Sequence, residues 1–458
     1  MSIGHEEIEM AVDTKKFFAD KAHVCNNMDQ IPVELYTKYD VKKGLRDNDG
    51  KGVVTGITNV SRVDGFATID GVRTPIEGKL QYRGYNVPDI IANHKGRFGY
   101  EESAYLLIFG SLPTKEQLEE FKGVIAEMGE LPIGFVRDVI LEGHSQDIMN
   151  SINKSILTLA AYDESTMDNS IENVLRQCIY IMSVMPMLAV YGYQAYRYCG
   201  VNDSLIIHRP QPDLSIAENI LRMLRPDGNY TELEAKVLDT ALILHMEHGG
   251  GNNSTFTARV ITSAGSDTYS VIAAALSSLK GPKHGGANIK VVQMINDIKA
   301  NVKDITDEKE VTEYLIRILD KQTFDRQGLI YGMGHAVYSI SDPRAIVLKD
   351  YAESLAKEKG RDKDLKLYQI INKVAPDLIC ARRHAFTGVS ANVDFYSGFI
   401  YNMLGIPNEL FTPLFAVARI VGWSAHRIEE LVSSGKIIRP AYVSIVTEKD
   451  YTPLDDRE

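Results

Sequence analysis

Apolar side chains recur along most of this 458-residue chain at the three- and four-residue spacing of amphipathic helices. The clearest such face comprises Ile289, Val292, Ile295 and Ile298. Residues typical of helix ends favour the same interpretation. Gly110 follows residues 101–109 and is predicted to end a helix there. Thr114, with Gln117 three residues later, is typical of a capping box that opens the next helix. Helices are therefore predicted to dominate the fold.

Two regions depart from this pattern. Between residues 53 and 85, short β-prone runs are separated by Asp64-Gly65, Asp70-Gly71 and Gly78, which predicts short strands and tight turns near the N-terminus. The longest apolar stretch, residues 178–193, is shorter than a bilayer span and contains Pro186. We interpret it as a buried helix and expect no membrane association.

Composition narrows the functional classes. The chain has 50 Lys and Arg against 61 Asp and Glu, a net charge of −11, which argues against a nucleic-acid-binding surface. The cysteines lack C-x-x-C spacing, which indicates a reducing compartment and no disulfide framework. The acidic N-terminus has neither the apolar core of a signal peptide nor the arginines of a transit peptide. We expect a cytoplasmic protein.

The segment G-P-K-H-G-G-A-N, residues 281–288, is the most informative about chemistry. It places His284 in a Pro/Gly loop directly before a predicted helix, where the positive end of the helix dipole favours neutral imidazole. A neutral histidine can donate a hydrogen bond to a carbonyl oxygen on which negative charge builds, as enolisation requires. The alternative is a glycine-flanked surface histidine in a turn.

Two later segments add further candidates. Y-G-M-G-H-A-V, residues 331–337, brackets His335 with glycines, and D-P-R follows at residues 342–344. N-V-D, residues 392–394, places the Asp394 carboxylate among apolar and aromatic neighbours, which tend to raise its pKa and make it a usable base.

In this order, with H-M-E-H at residues 245–248 upstream, these motifs resemble those of citrate synthase over nearly the whole chain, from about Gly52 to Arg439. The resemblance implies a mainly α, two-domain citrate synthase-like fold. Its large domain comprises residues 52–284 and 400–458, and its small domain residues 285–399. Residues 1–51 are an N-terminal extension of unclear role. Closure of the cleft between the domains excludes water.

The resemblance also implies the reaction and the residues that perform it. Acetyl-CoA condenses with oxaloacetate and water to give citrate and CoA through an enolate and citryl-CoA. In this scheme Asp394 is the base, His284 hydrogen-bonds the thioester carbonyl, and His335 donates to the ketone of oxaloacetate. No cofactor is needed, because the CoA thioester is a substrate.

Binding residues follow from the same motifs. His248, Arg344, Arg419 and Arg439 match oxaloacetate ligands, and guanidinium groups bind carboxylates in a bidentate fashion. The arginine matching Arg439 reaches the neighbouring subunit's site, which implies a homodimer, and a hexamer is the alternative assembly. The loop from Ile330 through Gly332 to Gly334 resembles the backbone cradle for the CoA adenine. Many relatives carry a basic residue where this chain has Ser339.

Other interpretations stay open. The same catalytic set serves 2-methylcitrate synthase, which uses propionyl-CoA, and one methylene changes selectivity by only about 1–3 kcal/mol. A non-catalytic homologue is a second alternative. His245 and His248 could share a helix face as metal ligands, but the H-E-x-x-H pattern of zinc hydrolases is absent, and we expect no metal. Neither G-x-G-x-x-G nor the P-loop motif is present.

Overall fold

The computed structural model describes residues 13–47, 50–335, 337–383, 388–433 and 435–457. By its internal contacts the chain divides into two compact units, one formed by residues 1–55 with 439–458 and the other by residues 56–438. The second unit contains every candidate site residue except Arg439. The predicted boundaries between a large and a small domain, at residues 284/285 and 399/400, stay predictions.

The first unit contains two helices, α1 (Thr14–Met28) and α2 (Val33–Lys38), and two 3-10 turns, Lys43–Leu45 and Leu454–Asp456. Asp13 caps α1 by accepting a hydrogen bond from the backbone N–H of Lys16. Neither helix buries a side chain. The predicted boundary of an N-terminal extension at residue 51 lies close to the end of this unit's first segment.

The second unit begins with the only β-sheet among the described residues. Strand β1 (Ser61–Ile69) pairs with β2 (Val72–Tyr82) in antiparallel register, and the two-residue β3 (Tyr85–Asn86) pairs with the end of β2. Asp70 and Gly71, both with positive φ, form the tight hairpin turn. The predicted strands and the turn at Asp70-Gly71 are confirmed. The predicted breaks at Asp64-Gly65 and Gly78 are wrong, because both lie inside strands, and the ladder only shifts its register between Asp64 and Phe66.

Helices make up most of the remaining second unit, which confirms the mainly α fold. They are α3 (Val87–Asn93), α4 (Tyr100–Phe109), α5 (Lys115–Glu127), α6 (Ile148–Leu159), α7 (Ile171–Ala195), α8 (Ile216–Leu224), α9 (Glu232–His245), α10 (Asn253–Ser263), α11 (Thr268–Lys280), α12 (Ala287–Asn301), α13 (Glu308–Leu319), α14 (Pro343–Glu358), α15 (Asp362–Arg383), α16 (Val393–Met403) and α17 (Phe411–Ser433). The predicted helix end and helix start are also confirmed. Gly110 ends α4 with a φ of 87°, and both hydrogen bonds of the capping box between Thr114 and Gln117 open α5.

Two long apolar helices, α7 and α17, form the centre of the core and pack against each other. Together with the π-helical turn after it, α7 is long and apolar enough to cross a membrane, but 83% of its most apolar window is buried inside the protein. A helix that is apolar on all sides belongs in a protein core when other helices surround it. The predicted buried helix is therefore confirmed.

Five helices converge on the candidate site. Helix α16 packs against α12, α14 and α9, and α17 packs against α9. The predicted apolar face of α12 is directed into this core, since Val292, Ile295 and Ile298 are buried and Ile289 is partly buried. The candidate histidines, Arg344, Arg419 and Asp394 thereby lie on packed helices or on the loops next to them.

Candidate active site

His284 lies in the turn that joins α11 to α12. The turn is tight, because the backbone N–H groups of His284 and Gly285 both donate to the carbonyl of Gly281, at 2.8 and 3.0 Å. The His284 Nε2 atom is 3.0 Å from the hydroxyl of Ser254. Burial, followed by the charge of Arg419, lowers the pKa of His284 to about 4. The imidazole is therefore neutral at physiological pH, as predicted, although burial and not the helix dipole is the leading cause.

His335 and Asp394 are carried by two segments that pair with each other. Met333 and Ala391 form an antiparallel bridge. The N–H of Gly334 donates to Ser390 O at 2.8 Å, and the N–H of Asn392 donates to Gly332 O at 2.9 Å. This pairing fixes the loop that ends at His335 beside the first turn of α16, where Asp394 is the second residue.

The ring of His335 has a defined tautomer. Its Nδ1 atom accepts hydrogen bonds from the backbone N–H groups of Val337 and Tyr338, at 3.0 and 3.3 Å. A nitrogen that accepts carries no proton, so the neutral ring is protonated on Nε2 and can donate from that atom. The ring stacks on Tyr338 at 4.9 Å and meets the edge of His248 at 5.0 Å between centroids.

His248 lies just beyond the C-terminal end of α9, and its Nε2 atom is 3.2 Å from the hydroxyl of Tyr338. Burial is the main cause that lowers the pKa of His248 well below its ordinary value, and the charges of Arg344 and Arg419 add to it. Tyr338 also reaches the β-hairpin, since its hydroxyl is 3.4 Å from the carbonyl of Lys79. The hairpin therefore helps to hold the two histidines together.

Asp394 is positioned by Asn392, the N-cap of α16, whose side chain accepts the backbone N–H of Asp394 at 3.1 Å. Burial raises the pKa of the Asp394 carboxyl to about 6, Asp342 adds to the rise, and Arg344 and Arg419 oppose it. The predicted rise in this pKa is therefore present. Within the described part of the chain, no side chain hydrogen-bonds this carboxylate, so its oxygens are available to a substrate.

Arg344 forms a bidentate ion pair with Asp342, from Nε to Oδ1 at 3.0 Å and from Nη2 to Oδ2 at 2.7 Å. Asp342 is also the N-cap of α14 and accepts the backbone N–H of Val393, next to Asp394. Burial opposes ionisation of Asp342, but Arg344 outweighs it and lowers the pKa of that carboxyl. The D-P-R motif thus joins α14 to α16 at the site.

Arg419 lies in the middle of α17 and is 0% exposed. Its Nε atom donates to the carbonyl of His245 at 2.7 Å, and its guanidinium carbon is 4.8 Å from the ring centroid of Phe415. Its two terminal nitrogens are buried without a hydrogen-bond partner among the described residues. Buried guanidinium donors without partners are costly, and a carboxylate is the ligand whose geometry they match.

The remaining predicted residues are placed as follows. Arg439 belongs to the first unit and is exposed. Ile330 is buried, and Gly332 and Gly334 have φ values of 82° and 89° in the loop that precedes His335. A Cβ atom on Gly332 would lie 2.9 Å from side-chain atoms of Phe395 and Val291, so this position requires glycine for both conformation and space.

His245 is a core residue and not part of the site surface. It is 1% exposed, its Nδ1 atom bonds the carbonyl of Ala241 at 2.6 Å, and its ring packs against Phe415. Among the described residues, no three metal-binding side chains are grouped as a metal site.

The sequence analysis assigned no role to four residues that hold the candidate site together. Ser254 and Tyr338 hold the histidines, and Asp342 pairs with Arg344. Glu247, next to His248, is fully buried and accepts hydrogen bonds from His426 and Ser61. Only Asp342 carried a local signal, because an aspartate before a proline is typical of a helix N-cap.

Comparison with known proteins bears on the family. A family profile described as "Citrate synthase, C-terminal domain" matches residues 45–441. The chain is 34% identical to the citrate synthase of Haloferax volcanii, over 91% of this chain and 99% of that protein. This chain belongs to the citrate synthase family.

Other citrate synthase relatives bear on fold and activity. The structure of the Thermoplasma acidophilum citrate synthase in ternary complex with carboxymethyl coenzyme A and oxaloacetate superposes with a TM-score of 0.74 at 28% identity, covering 91% of this chain and 99% of that one. The 2-methylcitrate synthase of Shewanella oneidensis is 33% identical over 81% of this chain and 90% of that protein. The family is one of transferases, and both activities occur among the relatives.

Proposed function

We propose that this protein is a citrate synthase that condenses acetyl-CoA with oxaloacetate and water to give citrate and CoA. The observation that carries the proposal is Arg419, a fully buried cation whose two terminal nitrogens have no partner among the described residues. Its charge acts on His284, His248 and Asp394, the groups that the reaction needs. A dicarboxylate would supply the missing partner.

The acetyl half of the reaction uses Asp394 and His284. Asp394 removes a proton from the methyl group of the thioester, which a carboxylate can do when burial brings its pKa closer to working pH. His284, being neutral, donates a hydrogen bond to the thioester oxygen as the enolate forms. For Nδ1 to carry that proton, the Ser254 hydroxyl donates to Nε2.

The oxaloacetate half uses His335 and the arginines. His335 donates from Nε2 to the ketone oxygen, which becomes the alkoxide of citryl-CoA when the enolate carbon attacks. Arg344 and Arg419 bind the carboxylates, and His248 adds a hydrogen bond. Water then hydrolyses the citryl thioester and releases CoA. No cofactor takes part.

The loop from Ile330 to Gly334 is proposed to cradle the adenine of CoA. Support comes from its left-handed glycines, which bring backbone atoms close to a ligand at little steric cost. Ser339 leaves the CoA phosphates without the basic residue that many relatives carry.

We propose further that the protein is a homodimer in the cytoplasm and that Arg439 completes the partner's oxaloacetate site. The exposed position of Arg439 is compatible with a contact to another chain. A hexamer built from such dimers is the alternative assembly. Closure of a small domain, residues 285–399, over the large one is proposed to shut the site.

The testing experiment measures CoA thiol release by the purified protein with oxaloacetate, comparing kcat/KM for acetyl-CoA and propionyl-CoA. Background from the protein's own thiols is subtracted, because Cys25 and Cys199 are exposed. A clear preference for acetyl-CoA is expected. Equal or faster turnover of propionyl-CoA would move the assignment to 2-methylcitrate synthase, and no turnover with either would contradict both.

A further inference from the structure

The carboxylate of Glu247 is fully buried beside the candidate site, yet the reaction assigns it no step. Its Oε1 atom accepts three hydrogen bonds: from the Ser61 hydroxyl at 2.8 Å, from His426 Nε2 at 2.9 Å, and from the backbone N–H of Gly249 at 2.6 Å. Glu247 therefore joins strand β1, the loop after His248 and helix α17 at one point.

A chain of buried groups keeps this carboxylate ionised. Arg259 donates to His426 Nδ1 from Nε at 3.1 Å and from Nη2 at 2.6 Å. Since arginine can only donate, Nδ1 of His426 accepts and its ring proton lies on Nε2, directed at Glu247. Burial opposes ionisation of Glu247, but the hydrogen bonds from His426 and Ser61 and the charge of Arg419 outweigh it and lower its pKa.

Glu247 lies close to Arg419 without hydrogen-bonding it. Its second oxygen, Oε2, has no partner among the described residues, and a Cβ atom built on Gly422 would be 2.4 Å from it. Gly422 is three residues after Arg419, on the same side of α17. The absence of a side chain at Gly422 is what admits the carboxylate. Arg419 in turn bonds the carbonyl of His245, two residues before Glu247.

In this arrangement Glu247 compensates the charge of Arg419 without accepting a hydrogen bond from it. A buried guanidinium needs a negative charge nearby, because an uncompensated buried ion costs several kcal/mol. A direct ion pair, such as the one between Arg344 and Asp342, would occupy the terminal nitrogens of Arg419. Glu247 is instead held by Ser61, Gly249 and His426, so its charge acts on Arg419 while both terminal nitrogens stay available.

We propose that Glu247 is a positioning residue, the counter-charge that stabilises the buried cation of Arg419 before substrate binds while leaving its terminal nitrogens to a substrate carboxylate. This inference rests on the proposed function, which makes oxaloacetate that substrate. When oxaloacetate binds, its carboxylate and Glu247 both compensate the same guanidinium. Glu247 thus stabilises the empty site and limits the affinity for the dicarboxylate.

The proposal predicts that loss of the Glu247 charge has opposite effects on the stability of the protein and on its affinity for oxaloacetate. Replacing Glu247 by glutamine keeps its shape and its ability to accept from Gly249 and Ser61, but removes the charge. The protein without ligand is then less stable, because Asp394 is the one anion that remains among the groups that act on Arg419, and Arg344 opposes it. Oxaloacetate binding recovers the lost compensation, so the variant binds this ligand more tightly.

The experiment compares the wild-type protein with Glu247→Gln and Glu247→Asp by calorimetric titration with oxaloacetate, together with the thermal unfolding midpoint of each empty protein. Glu247→Gln is expected to unfold at lower temperature and to bind oxaloacetate about tenfold more tightly, which equals about 1.4 kcal/mol. Glu247→Asp, which keeps the charge but not the length, is expected to remain near wild-type affinity. Unchanged or weaker binding by Glu247→Gln overturns the proposal, and so does an aspartate variant that behaves like the glutamine variant.

Glu430→Gln is the matched control. Glu430 is buried in the same network and binds Arg259 Nη1 at 2.7 Å, but it is not among the groups whose charge acts on Arg419. Its substitution is expected to lower stability and to leave oxaloacetate affinity unchanged. An equal gain in affinity in this variant would assign the effect to loosening of the network and contradict the proposal.

A second measurement does not depend on substrate. Glu247→Gln is combined with Arg419→Gln, and the unfolding midpoints of the four proteins are compared. Glu247→Gln is expected to cost less stability when Arg419→Gln has already removed the cation. The double variant is expected to fold even where Glu247→Gln alone does not. Additive losses, or failure of the double variant to fold, would contradict the pairing. If the wild-type protein does not bind oxaloacetate, the proposed function fails while this cycle still tests the counter-charge.

Discussion

The imidazole of His284 is tied to the hydroxyl of Ser254, with 3.0 Å between Nε2 and Oγ. Ser254 is itself held by the indole N–H of Trp423, which donates to Oγ at 3.1 Å, and its Oγ lies 2.9 Å from Asn252 Oδ1. A hydroxyl has one proton, so it can donate to His284 or to Asn252, but not to both. Only donation to His284 leaves the ring proton on Nδ1.

The first prediction follows from this competition. Ser254→Ala removes the donor that fixes the tautomer, and we expect kcat to fall by about tenfold to a hundredfold, since such a bond is worth about 1–3 kcal/mol. The KM for oxaloacetate should change little. Ser183→Ala, which deletes a buried hydroxyl bonded within α7, is the control and should keep wild-type kcat. Equal kcat values in the two variants would show that Ser254 does not act on His284.

The second prediction concerns the acid limb of activity. Asp394 must be a carboxylate to accept a proton, and its pKa is raised to about 6, whereas that of His284 lies at about 4. We therefore expect kcat/KM for acetyl-CoA to fall about tenfold per pH unit below pH 6, with His284 already neutral there. Asp394→Asn should lose at least about 10²-fold in kcat while oxaloacetate still raises the unfolding temperature. Near-normal turnover by this variant would remove Asp394 as the base.

Much of this fold could be predicted from sequence because its signals are local. The capping box at Thr114, the turn at Asp70-Gly71 and the apolar face of α12 each depend on residues a few positions apart. The run of charged residues at 357–366 shows where local signals fail: its composition favours a surface loop, but helices α14 and α15 leave only residues 359–361 between them. Charged side chains on a solvent-facing helix have the same composition as those of a loop.

The contacts within the candidate site could be predicted only in part from local sequence motifs. Motifs singled out His284 and Asp394, but the bond from Ser254 to His284 spans 30 positions and that from Glu247 to His426 spans 179. Such pairs are created by packing between helices and leave no periodic signal. The cause of the low pKa of His284 was hidden for the same reason, since burial and Arg419 both depend on distant elements.

The third prediction tests the ion pair of Arg344. Asp342→Asn leaves a buried guanidinium without its anion, which should destabilise the protein by about 3–5 kcal/mol. It also removes a negative charge that raises the pKa of Asp394. Because a lost neighbouring anion favours the ionised carboxylate, the acid limb of kcat/KM should move to lower pH. An unchanged acid limb in a folded variant would show that Asp342 does not influence Asp394.

The fourth prediction separates strain from packing in the loop before His335. Gly332 and Gly360 both have positive φ, but a Cβ atom on Gly332 would meet Phe395 and Val291 at 2.9 Å, whereas one on Gly360 would meet nothing within 4 Å. Gly360→Ala should cost about 1 kcal/mol from backbone strain alone. Gly332→Ala should cost more and raise the KM for acetyl-CoA, as measured by thermal unfolding and initial rates. Equal effects of the two substitutions would contradict a packed cradle at Gly332.

The last prediction addresses the shared site proposed for Arg439. This arginine is exposed and belongs to the first unit of the chain, and its proposed role requires that it reach a site on another copy. Arg439→Ala and His284→Ala should each be nearly inactive as pure proteins. After subunit exchange, a mixed dimer contains one site with both residues intact, so about a quarter of wild-type activity per protomer should return in a statistical mixture. Exchange is verified independently with differently tagged protomers. Mixed dimers that recover no activity would place Arg439 in its own subunit's site or outside catalysis.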